Sequence, residues 1–77
     1  SYTGINLDTL QALVDAKKIK KEVTLDQLIS LRLAGKNDLV KILGRGELSA
    51  ALKITAHKFT ATAKSAIEAA GGEAIDA

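Results

Sequence analysis

The sequence predicts a single α/β domain of short strands and three short helices, in which a strand-then-helix unit repeats along an irregular superhelix. Three observations predict it. The segments INLDTLQAL and VTLDQLISL match at an offset of 18 residues, with Leu7, Asp8, Leu10 and Leu13 opposite Leu25, Asp26, Leu28 and Leu31. A third segment from Phe59, FTATAKSAI, follows the same plan of apolar residue, polar cap and helix. Between them lie two short apolar runs, 39–43 and 52–56, rich in branched side chains as strands are.

Taken in order, Ile5, Asn6 and Leu7 read as extended chain. Leu7, Leu10, Leu13 and Val14 recur at helical spacing, so a helix is predicted over residues 7–16. Asn6 or Asp8 is available to cap it, and Lys17 and Lys18 suit the negative end of its dipole. Residues 19–23 are predicted extended. Thr24 and Gln27 have the spacing of a capping box, in which each side chain satisfies the other's backbone amide. The helix behind it is expected to run to about Leu33 and to stop at Gly35.

A polar loop at 36–38 leads into the strand at 39–43. Gly44-Arg45-Gly46 is read as a hairpin turn presenting Arg45, and a second strand follows at 52–56. In that strand Leu52 and Ile54 share one face, and Lys53 and Thr55 the other. Thr60 then caps a helix to Ala70 whose core face is Ala63, Ala66, Ile67 and Ala70. Gly71-Gly72 ends it in a left-handed cap. Ala74 and Ile75 predict a last short strand.

At 77 residues, without cysteine or proline, the chain has room for one small domain. A domain this size buries roughly 60% of its unfolded surface, and no disulfide is available to reinforce it. No apolar run approaches the ~20 residues of a membrane span, so no membrane partner is expected. No signal-peptide pattern is present. The chain opens on Ser1 rather than methionine and is read as a processed chain or a fragment.

The residue inventory argues against several chemistries. There is one histidine, His57, and no nucleophile-elbow pattern surrounds Ser30, Ser49 or Ser65, so no enzyme and no small-molecule substrate are expected. Scattered carboxylates and one histidine make no metal-ligand spacing, and no cofactor is expected. Gly44-Arg45-Gly46 has Ser49 where a dinucleotide loop needs its third glycine, and it lacks the Lys-Ser/Thr ending of a phosphate loop. Two aromatics, Tyr2 and Phe59, cannot build a base-stacking platform. Any RNA binding would use phosphates, sugars and shape.

Net charge is only +2, but the cations cluster. Lys17, Lys18, Lys20 and Lys21 form one group. Residues 40–72 carry Lys41, Arg45, Lys53, Lys58 and Lys64 against Glu47 and Glu68. Either group can be a plain solvated surface, and a small protein-interaction module with no RNA binding of its own is the alternative reading.

The stretch from Val40 to Gly72 also carries three long motifs: K-I-L-G-x-G-E-L, then A-L-K-I-T-A-H-K-F-T, then A-x-x-A-I-E-A-A-G-G. Through them the chain resembles the C-terminal domain of the bacterial-type large-subunit ribosomal proteins of the L-fifteen family. The likeness extends from Ile5-Asn6-Leu7 through Val23-Thr24 to Gly72. It implies a superhelix of strand–strand–helix turns and a structural role: binding 23S-type ribosomal RNA, helping the large subunit assemble, and meeting neighbouring ribosomal proteins. The implied location is the ribosome of the cytoplasm or of an organelle. Family members carry a Gly- and Lys/Arg-rich N-terminal extension that threads into RNA, which this chain lacks. Lys53, His57, Lys58 and Thr60 match the family's lysine-rich signature. Ala50 and Thr62 stand where further basic residues are frequent, so a thinner RNA-facing charge is expected. With Lys41, Arg45 and Lys64 these make the candidate RNA-binding set. The start of the last helix, between Lys58 and Lys64, is the expected place for a phosphate.

Overall fold

The computed structural model describes residues 2–77, Ser1 lying outside them. The elements run β1 (Tyr2–Asn6), α1 (Leu7–Asp15), β2 (Glu22–Val23), α2 (Leu25–Ser30), β3 (Leu39–Leu43), β4 (Lys53–Ala56), β5 (Lys58–Phe59), α3 (Ala61–Ala69) and β6 (Glu73–Asp76). The strands form two three-stranded sheets, ordered β1-β3-β5 and β2-β4-β6. All pairs are parallel. Successive strands therefore alternate between the sheets, and the chain winds as a superhelix that lays one strand in each sheet per turn. The α/β class and the repeated unit are as the sequence predicts.

Thirteen apolar side chains, among them Leu7, Leu10, Leu28, Ile42, Leu52 and Ile54, form one buried core, and no polar side chain is buried among the described residues. Strand alternation does the sorting. Val40 and Ile42 of β3, and Ile54 and Ala56 of β4, point inward, while Leu39 and Lys53 are exposed. On α3, Ala63 and Ile67 are buried and Ala66 packs against the core, the face that the spacing of these residues sets.

The connection after β3 is not a hairpin turn. β3 and β4 belong to different sheets, and the segment between them is a crossover from the first sheet to the second. The same crossover after β1 is made by α1, and after β5 by α3. Because β3 lies between β1 and β5, its crossover must pass between the starts of those two helices. That squeeze explains both glycines. A Cβ on Gly44 would stand 2.8 Å from Thr62 Cβ and 3.2 Å from the Ala63 amide nitrogen; one on Gly46, at φ +92°, would collide with Asp8. Gln11 of α1 latches the rest of the crossover: its Oε1 accepts from the Ser49 amide at 3.0 Å and from the Ala50 amide at 3.3 Å.

All three helices end alike. Lys17 N–H donates to Val14 O and Lys18 N–H to Leu13 O; Arg32 and Leu33 do the same to Ile29 and Leu28; Gly71 and Gly72 to Glu68 and Ile67. Each is a Schellman motif with its first free residue left-handed. That residue is Lys17 at φ 61°, Arg32 at φ 61° and Gly71 at φ 87°. Gly71 is the expected cap. The second helix, however, stops at Ser30 rather than Leu33, and Arg32, not Gly35, turns the chain. The offset-18 repeat breaks here: Leu13 lies inside α1, whereas Leu31 is already the C-cap of α2.

The starts are mixed. Thr24 and Gln27 form the predicted capping box, at 3.1 and 2.8 Å, and Thr60 Oγ1 accepts from the Ala63 amide at 3.1 Å. For α1, Asn6 holds the N-cap position without a side-chain bond. Asp8 does not cap either; its amide donates to the Arg45 carbonyl at 3.1 Å. The crossover backbone supplies the cap that neither side chain gives.

Candidate nucleic-acid interface

The parallel strands of the first sheet end together. At their carboxyl edge, α1 and α3 begin side by side with Gly44-Arg45-Gly46 between them. The positive ends of two nine-residue helices thus flank Arg45. The Arg45 guanidinium reaches Asp8 Oδ2 with Nε at 3.2 Å, yet 73% of its side chain remains exposed. A pair this open in water is weak, and among the described residues the guanidinium's other nitrogens have no partner.

Thr60 and Lys64 sit on the same edge. Besides accepting from Ala63 through its hydroxyl, Thr60 accepts the Lys64 amide on its carbonyl at 3.0 Å. Lys64 is exposed one turn beyond it.

Lys41 and Lys58 are register partners on β3 and β5. Alternation sends both to the outer face of this sheet, away from the core. The other outer positions are Tyr2, Gly4 and Asn6 on β1 and Leu39 and Leu43 on β3. None is acidic. Lys58 Nζ lies 5.6 Å from the centre of the Tyr2 ring, within cation–π range. Tyr2 and Leu39, side by side in register, are the exposed large apolar residues of the described chain. Nothing in the sequence signals the Tyr2–Lys58 contact, because parallel strands join residues far apart along the chain.

His57 belongs to the seam between the sheets. The chain leaves the second sheet at Ala56 and enters the first at Lys58, so His57 alone makes the switch. Its amide donates to the Val40 carbonyl at 3.0 Å, and its Nδ1 accepts from the Val40 amide at 2.9 Å. One residue satisfies both backbone groups of Val40, with a ring nitrogen standing in for a carbonyl. An accepting Nδ1 has no hydrogen, so the neutral ring carries its hydrogen on Nε2.

Lys53 stands apart. It lies on the outer face of the second sheet, in register with Glu22 on one side and Glu73 on the other. Strands about 4.8 Å apart put a glutamate position on either side of it, though neither carboxylate closes an ion pair with it among the described residues. Of the seven candidates, the structure brings Arg45, Thr60 and Lys64 to one edge and Lys41 and Lys58 to the adjoining face; His57 lies in the seam and Lys53 on the other sheet.

No group of three or more metal-ligating side chains occurs among the described residues, and no helix there is long and apolar enough to cross a membrane.

Residues 4–75 match the family model described as ribosomal proteins 50S-L15, 50S-L18e and 60S-L27-A. The chain belongs to this family. It is 66% identical over 74 residues to the large ribosomal subunit protein uL15 of Flavobacterium johnsoniae, an alignment covering 96% of this chain and 49% of that protein. The protein of the same name from Christiangramia forsetii is 68% identical over 74 residues, with the same coverage. That of Bacteroides fragilis is 45% identical over 74 residues, again 96% of this chain and 49% of the relative. The chain spans about half the length of these relatives.

Membership bears out the resemblance carried by the three motifs, and the fold shows what the motif residues do in this member of the family. Several hold the fold. Gly44 and Gly46 admit the crossover between two helix starts, His57 closes the sheet seam, Thr60 caps α3, and Gly71 and Gly72 end it. Lys41, Arg45, Lys58 and Lys64 have no such duty beyond Arg45's exposed pair with Asp8 and Lys58's contact with the Tyr2 ring.

Proposed function

We propose that this chain is a non-catalytic structural element of the large ribosomal subunit. It binds ribosomal RNA of the 23S type through phosphate and shape contacts and supports assembly of the subunit beside neighbouring ribosomal proteins. Its place is the ribosome, in the cytoplasm or in an organelle. The observation that carries the reading is the likeness, over 96% of this chain, to proteins named large ribosomal subunit protein uL15.

The first sheet suits this role. Its outer face and carboxyl edge offer Lys41, Arg45, Lys58 and Lys64 to a polyanion. A phosphate at the start of α3 would meet the positive helix end, with Lys64 one turn along and Arg45 on the flank. Lys58 would reach the same RNA from the outer face. Thr60 and His57 shape this surface through the bonds they make. Lys53, between two glutamates, contributes least.

Salt dependence tests the reading. Affinity for large-subunit ribosomal RNA should fall linearly with salt on a log–log scale, because each phosphate contact releases counterions. Lys58→Glu and Lys64→Glu should each weaken binding and flatten the slope by about one unit, with the fold intact. Lys53→Glu should change both less. Affinity indifferent to salt would instead favour the protein-interaction module.

A further inference from the structure

We infer that the loop between α1 and β2 is a second RNA-backbone contact, carried by Lys17, Lys18, Lys20 and Lys21 and separate from the first sheet's surface. This rests on the RNA-binding reading above. The four lysines are exposed, and none forms an ion pair among the described residues. With Glu22 and Gln27 they line a shallow concavity of about 490 Å³. Glu22 is the one carboxylate there, and it lies in register with Lys53.

The loop is held in shape. Lys17 and Lys18 close the Schellman motif of α1. Ile19 is buried between the two pairs of lysines. The Lys21 carbonyl accepts from the Lys53 amide at 2.8 Å. Four like charges in five residues repel one another, so a fixed loop that gathers them suits a polyanion that neutralises them all. Lys17 holds a left-handed conformation at φ 61°, as Arg32 does after α2 and Gly71 after α3. A Cβ is costly there, so the backbone geometry itself does not call for a side chain at Lys17. Closeness to the negative end of the α1 dipole is a reason for charge at Lys17 and Lys18, but it does not account for Lys20 and Lys21.

The loop and Arg45 lie at opposite ends of α1. Its nine residues separate them by about 13 Å, too far for one phosphate to touch both. The domain would bridge two stretches of RNA backbone, and the two contacts would lose affinity independently.

The test uses the whole chain and large-subunit ribosomal RNA. Replacing all four lysines by alanine should leave the circular dichroism spectrum unchanged, lower affinity about tenfold or more at physiological salt, and flatten the salt slope by about two units or more. The four-arginine variant should keep the wild-type slope. Lys17→Gly is the sharper variant: it should raise the melting temperature by relieving the left-handed strain and still flatten the slope by about one unit. A wild-type slope in both the alanine variant and Lys17→Gly, with wild-type binding still salt-dependent, overturns the second contact and leaves the first intact. Loss of salt dependence in the wild type overturns both.

Discussion

Single atoms decide several of this domain's properties. The cost of altering the glycine pair after α3 falls differently on its two members. Gly71 is left-handed, but a Cβ there would stand in ordinary contact, 3.7 Å from Ala51 Cβ. Gly72 has no room: a Cβ would run into the backbone of Leu52, whose carbonyl also accepts the Glu73 amide at 2.9 Å. Gly71→Ala should therefore cost about 1 kcal/mol of backbone strain. Gly72→Ala should cost about 2–3 kcal/mol, because it pushes β6 off β4. Urea midpoints of the two variants check the order. At the seam, His57→Ala should cost about 1–3 kcal/mol by leaving the Val40 amide without a partner, and Val40 is 2% exposed. His57→Asn, which can keep an acceptor near the Nδ1 position, should cost much less. Asp38 gives a pH effect. The Gly35 amide and the Thr3 hydroxyl donate to its Oδ2 at 2.7 and 2.9 Å and hold its carboxyl below the ordinary 3.8. A lowered folded value means the contribution is fully present above 3.8 and is lost as pH falls through the lowered value. Asp38→Asn should flatten the stability curve in that acid range, as acid titration of the folded fraction would record.

Helix ends are where the elements diverge from local sequence rules. Thr24 with Gln27, and Thr60, can be read as caps because side chain and amide lie three residues apart. The strand at 39–43 can be read because its bounds are set by its own branched residues. The end of α2 cannot: Arg32 has no local feature that favours a left-handed turn, and Gly35 is the residue that does. The turn falls at Arg32 because β3 must return to the first sheet, a demand made by Val40 and Ile42 pairing with Thr3 and Ile5. The cap of α1 is equally hidden, since its partner is the distant Arg45 carbonyl. Gly44-Arg45-Gly46 shows a tight place but not its cause, because the residues that crowd it arrive from α1 and α3. Arg32→Gly should stabilise the domain by about 0.5–1 kcal/mol, the left-handed penalty less the entropy glycine adds to the unfolded chain. A lower melting temperature for this variant would mean that α2 ends elsewhere.

Across the whole molecule, the superhelical path decides which cations can act together. Clustering along the chain groups Lys53 with Lys58 and Lys41, but alternation between sheets carries it to the far face, between Glu22 and Glu73. The same path gathers Arg45, Thr60 and Lys64, which are spread along the chain, because all follow strands of one parallel sheet. The charge types are legible in the chain and their grouping is not, since the grouping depends on strand order. If the domain works as proposed, the carboxyl edge and outer face of the first sheet meet RNA. Amide resonances followed during titration with a large-subunit ribosomal RNA fragment would decide it. Shifts are expected at Lys41, Gly44, Arg45, Lys58, Ala61 and Thr62, with Thr55, Glu73 and Ile75 of the second sheet unmoved. Shifts concentrated on those second-sheet residues, with the first-sheet edge silent, would contradict this assignment.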